Sequence, residues 1–226
     1  MRITFVLPHA DLSGGIRVVA VHARLLRRRG HEVLVVSTPR KLPPWRRRLK
    51  ALLEGRGWRA WRGGPSHLDG AEVPHRVLDR ARPICDADVP DADAVIATWW
   101  ETAEWVAALS PRKGAKVYFL QHHEIHEGQP VERVKATWRL PLHKIVISRW
   151  LGRISAEDYG DSSFSLVPNS VDTELFRADP RGKQARPCVG FVYSRLGWKG
   201  ADIALASVQA ARRALPDLAL VSFGAD

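Results

Sequence analysis

Residues 1–37 read MRITFVLPHADLSGGIRVVAVHARLLRRRGHEVLVVS. Ile3 to Leu7 is an unbroken apolar run of the length of one buried strand. It leads into a loop ending Ser13-Gly14-Gly15, then an amphipathic helical pattern, Gly30, and a second strand pattern from Glu32 to Ser37. Strand, helix and strand in that order predict a βαβ unit, the start of a parallel sheet. Gly14 and Gly15 allow backbone to approach a ligand closely. The helix N-terminus behind them favours an anion or a polar sugar group. The plainer alternative is that both glycines only shape the start of the helix. A dinucleotide-binding turn would put G-x-G-x-x-G directly after the strand. The longer loop and the string S-G-G-I-R disfavour a nicotinamide dehydrogenase.

Strand and helix signals go on alternating beyond this unit. Glu72 to Leu78 reads as a short strand and Asp93 to Thr98 as a buried one, with Trp99 and Trp100 at its end. Thr102 to Leu109 reads as a helix, Lys116 to Leu120 as a strand, and Val131 to Arg139 as a helix. His143 to Ile147 is a further strand, Ser148 is placed to cap a helix through Asp158, and Ser163 to Val167 is a strand. The expected fold class is α/β, a Rossmann-like parallel sheet flanked by helices, over residues 1–176. Residues 177–187, RADPRGKQARP, read as a linker. A fresh βαβ follows over 188–226: a strand at Val189 to Tyr193, a helix from Gly200 to Leu215 and a strand at Leu218 to Phe223. Such a short unit is too small to build its own core, so the second domain is expected to be incomplete.

The chain has 226 residues, 45% of them hydrophobic, enough to bury a core. No apolar run is long enough to span a membrane, and the N-terminus suits a first strand better than a signal peptide. Cys85 and Cys188 are far apart and show no metal spacing, which fits a reducing, cytoplasmic compartment. The net charge of +11 is uneven, because residues 40–62 hold nine Lys/Arg against one Glu. The same stretch carries Trp45, Arg46, Arg47, Arg48, Trp58 and Trp61 with Leu49, Leu52 and Leu53. Basic residues mixed with Trp and Leu at helical spacing suggest a helix lying on an anionic membrane surface, and a peripheral location on the inner face of the plasma membrane. A solvated basic loop is the alternative, and a nucleic-acid patch is the weaker reading.

Several segments, taken in order, resemble the family 4 glycosyltransferases, which have the two-domain GT-B fold. The opening S-G-G-I-R-V-V with H-A-R-L-L-R-R-R-G-H-E-V-L-V-V is similar to the start of the family's acceptor domain. V-I-A-T-W-W-E-T-A-E-W-V followed by Y-F-L-Q-H-H-E is similar to members acting on rhamnose-containing or other cell-surface polysaccharides. I-V-I-S-R-W-L ahead of V-P-N-S-V-D-T-E-L-F resembles the approach to the interdomain hinge, and V-G-F-V-Y-S-R-L-G-W-K-G-A-D the start of the donor domain. The chain departs from the pattern at Ser170, where the hinge usually has Gly, and at His122, where Asp often stands. The family's pair of glutamates late in the donor domain has no counterpart in this sequence.

The resemblance implies a retaining, metal-independent transfer of a sugar from a nucleotide-sugar donor to a lipid-linked or cell-surface glycan acceptor. The nucleotide sugar is a substrate, and no cofactor is implied. Gly14, Gly15, Asn169, Arg195 and Lys199 would bind the donor, Gly14 and Gly15 from the acceptor side, with Arg195 and Lys199 near the diphosphate, whose developing charge needs cations and N–H donors. Gln121, His122 and Glu124 end a central strand, where ligands gather in open α/β sheets, and are the catalytic candidates. The string from His122 to Glu127 lacks the H-E-x-x-H spacing of a helical metal site, so no metal is expected. Trp99, Trp100 and Trp105 are read first as packing residues. The chain as given is expected to be inactive by itself. A module that binds glycans or membrane surfaces without catalysis is the rival reading.

Overall fold

The computed structural model describes residues 1–40, 45–55, 64–126, 128–180, 182–194 and 197–224. They fall into two compact units, Met1–Ser170 and Val171–Asp226. The first unit holds seven strands: β1 (Arg2–Leu7), β2 (Glu32–Ser37), β3 (His75–Val77), β4 (Ala94–Ala97), β5 (Ala115–Leu120), β6 (His143–Val146) and β7 (Phe164–Leu166). They form one sheet in the order β3-β2-β1-β4-β5-β6-β7, with every neighbouring pair parallel. Among the described residues, five α-helices belong to this unit: α1 (Gly14–Arg28), α2 (Trp45–Leu53), α3 (Trp100–Ala108), α4 (Val131–Thr137) and α5 (Arg149–Tyr159). Parallel neighbours need crossovers, and helical crossovers cover both faces of a sheet. That is why β1 is apolar at consecutive positions rather than at alternate ones. Phe5 lies between Val35 and Ile96 in register, on the face covered by α1. Val6 packs on the other face with Val95, Val106 and Leu120.

The alternation of β5 sorts the two cores. Val117 and Phe119 join the α1 side, where Ile16, Val19, Ala20 and Ala23 recur at helical spacing. Tyr118 and Leu120 join Trp138, Val146 and Leu151 on the other side. Each fully buried Val or Leu contributes about 1.5–3 kcal/mol, so these two layers supply most of the driving force. Trp100 is buried and Trp105 packs partly buried against the same core, as packing residues do. Two glycines set close approaches. Gly114 has φ +88°, and a Cβ there would lie 2.4 Å from the Asp93 carbonyl carbon. At Gly152 a Cβ would meet Phe164 Cζ at 2.5 Å, so the glycine lets α5 sit directly on β7. Lys144, only 2% exposed, is neutralised by Asp161 at the end of α5.

Some helix ends differ from the sequence-based expectation. α3 starts at Trp100, before Thr102, because the Thr102 hydroxyl accepts from the N–H groups of Thr98 and Trp99, both at 2.9 Å. Thr102 is therefore inside the first turn rather than at its start. α4 stops at Thr137, where i→i−3 bonds from Trp138, Arg139 and Leu140 tighten the chain as Trp138 turns into the core. Ser148 caps α5 as expected, its Oγ accepting from Leu151 N–H at 3.3 Å.

The second unit contains β8 (Cys188–Val192) and β9 (Ala219–Phe223), paired in parallel, with α6 (Ala201–Ala211) between them. α6 ends at Ala211, and the chain tightens through turn bonds from Arg213 and Ala214 before Pro216, which disfavours helix in the residue ahead of it. Val208 and Leu218 are buried, whereas Val192, Ile203 and Phe223 are exposed.

Candidate functional site

The strand order reverses at β1 and β4. Their helices leave on opposite faces and open a crevice at the carboxyl ends of the strands, the usual ligand position in such sheets. The loop after β1 is held from several directions. Asp11 Oδ1 accepts from Ser13 N–H at 2.8 Å, and its Oδ2 lies 3.3 Å from His9 Nε2. Burial alone would raise the Asp11 carboxyl. The hydrogen bonds from Ser13 and the charges of His9 and Arg40 outweigh it and hold the group below its usual range. Arg40 Nε donates to the Ala10 carbonyl at 2.8 Å, and Thr38 Oγ1 donates to the Pro8 carbonyl.

Behind this loop stands the N-terminus of α1. The Ser13 side chain makes no cap hydrogen bond, and the first turn carries no acidic residue. Space is open above Gly14. A Cβ on Gly15 would meet the Gln121 amide at 3.6 Å, an ordinary contact, and Gln121 Nε2 donates to the Gly15 carbonyl at 3.3 Å. The end of β5 is thus tied to the first turn of α1 across the reversal point. The positive end of α1 faces a space bounded by polar groups, which suits a phosphate or another anion.

Gln121 and His122 take opposite sides, as the two-residue period of β5 requires. His122 goes with the α3–α5 face. Its Nδ1 accepts from Glu124 N–H at 3.0 Å, so the neutral ring carries its proton on Nε2 and acts as a donor. Glu124 has φ +60° and is 3% exposed. Its Oε2 accepts from Trp100 N–H at 3.1 Å and satisfies the first turn of α3. Burial pushes this carboxyl up to about 8, with the Trp100 N–H opposing. At neutral pH it is therefore mostly protonated. His123 is buried too. It shares a 2.7 Å hydrogen bond with Tyr159 Oη and meets Trp138 edge-on at 5.1 Å, and burial lowers its pKa from the usual histidine value. The far end of the loop is pinned where Trp100 Nε1 donates to Gln129 Oε1 at 3.0 Å. Arg133 lies over the same indole at 4.9 Å and forks onto Glu104.

The structure thus brings Gly14, Gly15 and Gln121 to one side of the crevice and places His122 on the other, with Glu124 beneath it. Asn169 is exposed beyond β7 in the first unit. Lys199 is exposed in the second unit, in a 3-10 turn just ahead of α6. Arg195, Trp58 and Trp61 lie outside the described residues. Trp45, Arg47 and Arg48 belong to α2 by their backbone, and Arg46, Leu49, Lys50, Leu52 and Leu53 are exposed on it. Among the described residues, no three His, Cys, Asp or Glu side chains gather as metal ligands, and no helix is long and apolar enough to cross a membrane.

Sequence reasoning passed over two features. One is the His9–Asp11 pair, legible only as an H-x-D string after a strand. The other is Trp150 in the first turn of α5, 48% exposed and 6.4 Å from the ring of His122. A surface groove of about 390 Å³ runs along the outer edge between α5 and β7, lined by Arg149, Arg153 and Phe164 among others. It does not lie over the β1–β4 crevice, where the strand order and the open α1 terminus point.

No protein-family model matches the chain, and neither does any curated protein. Among solved structures, a crystal structure of the glycotransferase of kitacinnamycin is similar in fold, with a TM-score of 0.52 and 13% sequence identity. The match covers 98% of this chain and 65% of that one, so this chain spans somewhat less than two thirds of its neighbour's length. At that identity the likeness is one of fold: an α/β protein with a Rossmann-like parallel sheet flanked by helices.

Proposed function

We propose that this chain belongs to a glycosyltransferase of the GT-B kind, of family 4 type, and carries its acceptor side with the opening of its donor side. The observation that carries the reading is the bare N-terminus of α1 at the strand-order reversal, with Gln121 bridged to Gly15 beside it. A nucleotide sugar presents a diphosphate there, and helix N–H groups stabilise negative charge as the sugar leaves. The sequence segments described above and the fold of a solved glycosyltransferase support the same reading.

The transfer breaks the bond from the anomeric carbon to the diphosphate oxygen and forms one to an acceptor hydroxyl on the same face, with retention. The electron pair goes to the diphosphate and so, finally, does the hydroxyl proton. Gln121 and His122 act as hydrogen-bond donors around the reacting sugar, and Glu124 is a positioning residue that holds the His122 loop on α3. By the family resemblance, Asn169, Arg195 and Lys199 also serve the donor. The nucleotide sugar is the only small molecule required, without metal or cofactor. The acceptor is a lipid-linked or cell-surface glycan at the cytoplasmic face of the membrane. There α2 lies on anionic lipid, its Leu49, Leu52 and Leu53 inserted and Arg46 and Lys50 paired with headgroups.

The test is transfer of label from UDP-, GDP- and dTDP-activated sugars to a lipid or polysaccharide fraction of bacterial membranes. Label in that fraction, lost on heating the protein, supports the reading. Binding of glycans or membranes by the chain, with no binding of UDP, GDP or dTDP, would instead assign a non-catalytic module.

A further inference from the structure

Trp150 stands apart from the other tryptophans described in this unit. Trp100 and Trp138 are buried in the core, whereas Trp150 is 48% exposed in the first turn of α5, just past the carboxyl end of β6. Its ring lies 6.4 Å from that of His122 at 61°, and 6.4 Å from that of His123 at 80°. His126 continues the group, its ring 6.1 Å from that of His122. The turn bearing Trp150 is held firmly, by the Ser148 cap on Leu151 and by the direct seating of Gly152 on Phe164. The result is a fixed, half-exposed indole with imidazoles beside it, on the edge of the sheet where ligands bind in this architecture.

We infer that Trp150, with His122 and His126, forms a stacking platform for a pyranose ring of the acceptor. A pyranose offers an apolar face of C–H bonds ringed by hydroxyls. An indole takes the first and imidazole nitrogens take the second. An aliphatic partner would use the indole but not the histidines, and a bare anion would use the histidines but not the indole. The inference rests on the glycosyltransferase reading for its ligand class, while its geometry stands on α5 and the loop after β5.

The experiment is saturation-transfer NMR on the full chain with methyl α-glucopyranoside, methyl α-mannopyranoside and methyl α-rhamnopyranoside. UDP, GDP and dTDP serve as separate probes. At least one glycoside is expected to receive saturation on one ring face. W150A should weaken its binding by about five- to tenfold, and W150F should restore most of it. Nucleotide signals should be the same in all three proteins. Unchanged glycoside signals in W150A overturn the platform and leave the glycosyltransferase reading in place. Absence of every glycoside signal from the wild type also overturns the platform. If all nucleotide signals are absent as well, the glycosyltransferase reading falls with it.

Discussion

Replacing Glu124 by Gln removes a titrating group and keeps an oxygen to accept from Trp100 N–H. The carboxyl has an ordinary value of 4.5 and is pushed up to about 8 in the fold, chiefly by burial. Below 4.5 both folded and unfolded chains hold the proton, and Glu124 adds no pH dependence. Between the two values the folded chain keeps a proton that the unfolded chain has released, so stability falls by about 1.4 kcal/mol per pH unit. The fall ends near the folded value, above which both states are ionised. From about pH 5 to about pH 7.5 the loss comes to roughly 3 kcal/mol. Buried histidines act in the opposite sense. Burial depresses His22, His75 and His123 below 6.5, so they remove stability as pH falls through that region. The comparison with E124Q cancels them. Urea unfolding followed by circular dichroism should show the two proteins close together at about pH 5, and the variant ahead by a midpoint shift of about 1 M at about pH 7.5. Parallel pH profiles would mean that Glu124 is already ionised in the fold, and would refute the argument from burial.

Gly114→Ala should cost about 3 kcal/mol or more, read as a drop in thermal midpoint, because the new Cβ meets backbone of Asp93 at a left-handed φ. Lys144→Ala leaves Asp161 without its partner, and because that carboxylate is partly exposed the cost should be about 2 kcal/mol, measured by urea unfolding. Arg46→Glu with Lys50→Glu should abolish sedimentation with vesicles rich in phosphatidylglycerol, each reversal losing about 1 kcal/mol or more, while the fold is unchanged. Equal binding by that double variant would remove α2 from the membrane reading.

Much of the fold was legible because the parallel sheet writes itself into the sequence as short, fully apolar strands between helical patterns. β2 matches its expected bounds, β1, β5 and β6 differ by one residue at one end, and β4 is one residue shorter at each end. What the sequence concealed was set by tertiary contacts. Thr102 looks like a helix start, yet its hydroxyl caps from within the first turn. Glu124 looks like a ligand-facing carboxylate at a strand end, but a left-handed turn drops it onto α3, and only the folded chain shows that burial. The two-residue period of K-V-Y-F-L-Q-H already separates Gln121 from His122. Trp150 was illegible, because exposure of a tryptophan within an amphipathic pattern depends on what the neighbouring loop leaves uncovered.

The central claim is that the bare end of α1, with Gln121 beside it, receives the diphosphate of a nucleotide sugar. Titrating the isotope-labelled protein with UDP, GDP and dTDP, and following backbone amide resonances, tests it directly. The account predicts that one of these nucleotides shifts Gly14, Gly15 and the Gln121 side-chain amide together. It also predicts that Gln121→Glu weakens that nucleotide by about tenfold through charge repulsion. A titration in which the largest shifts lie elsewhere, with Gly14 and Gly15 unmoved, would contradict it.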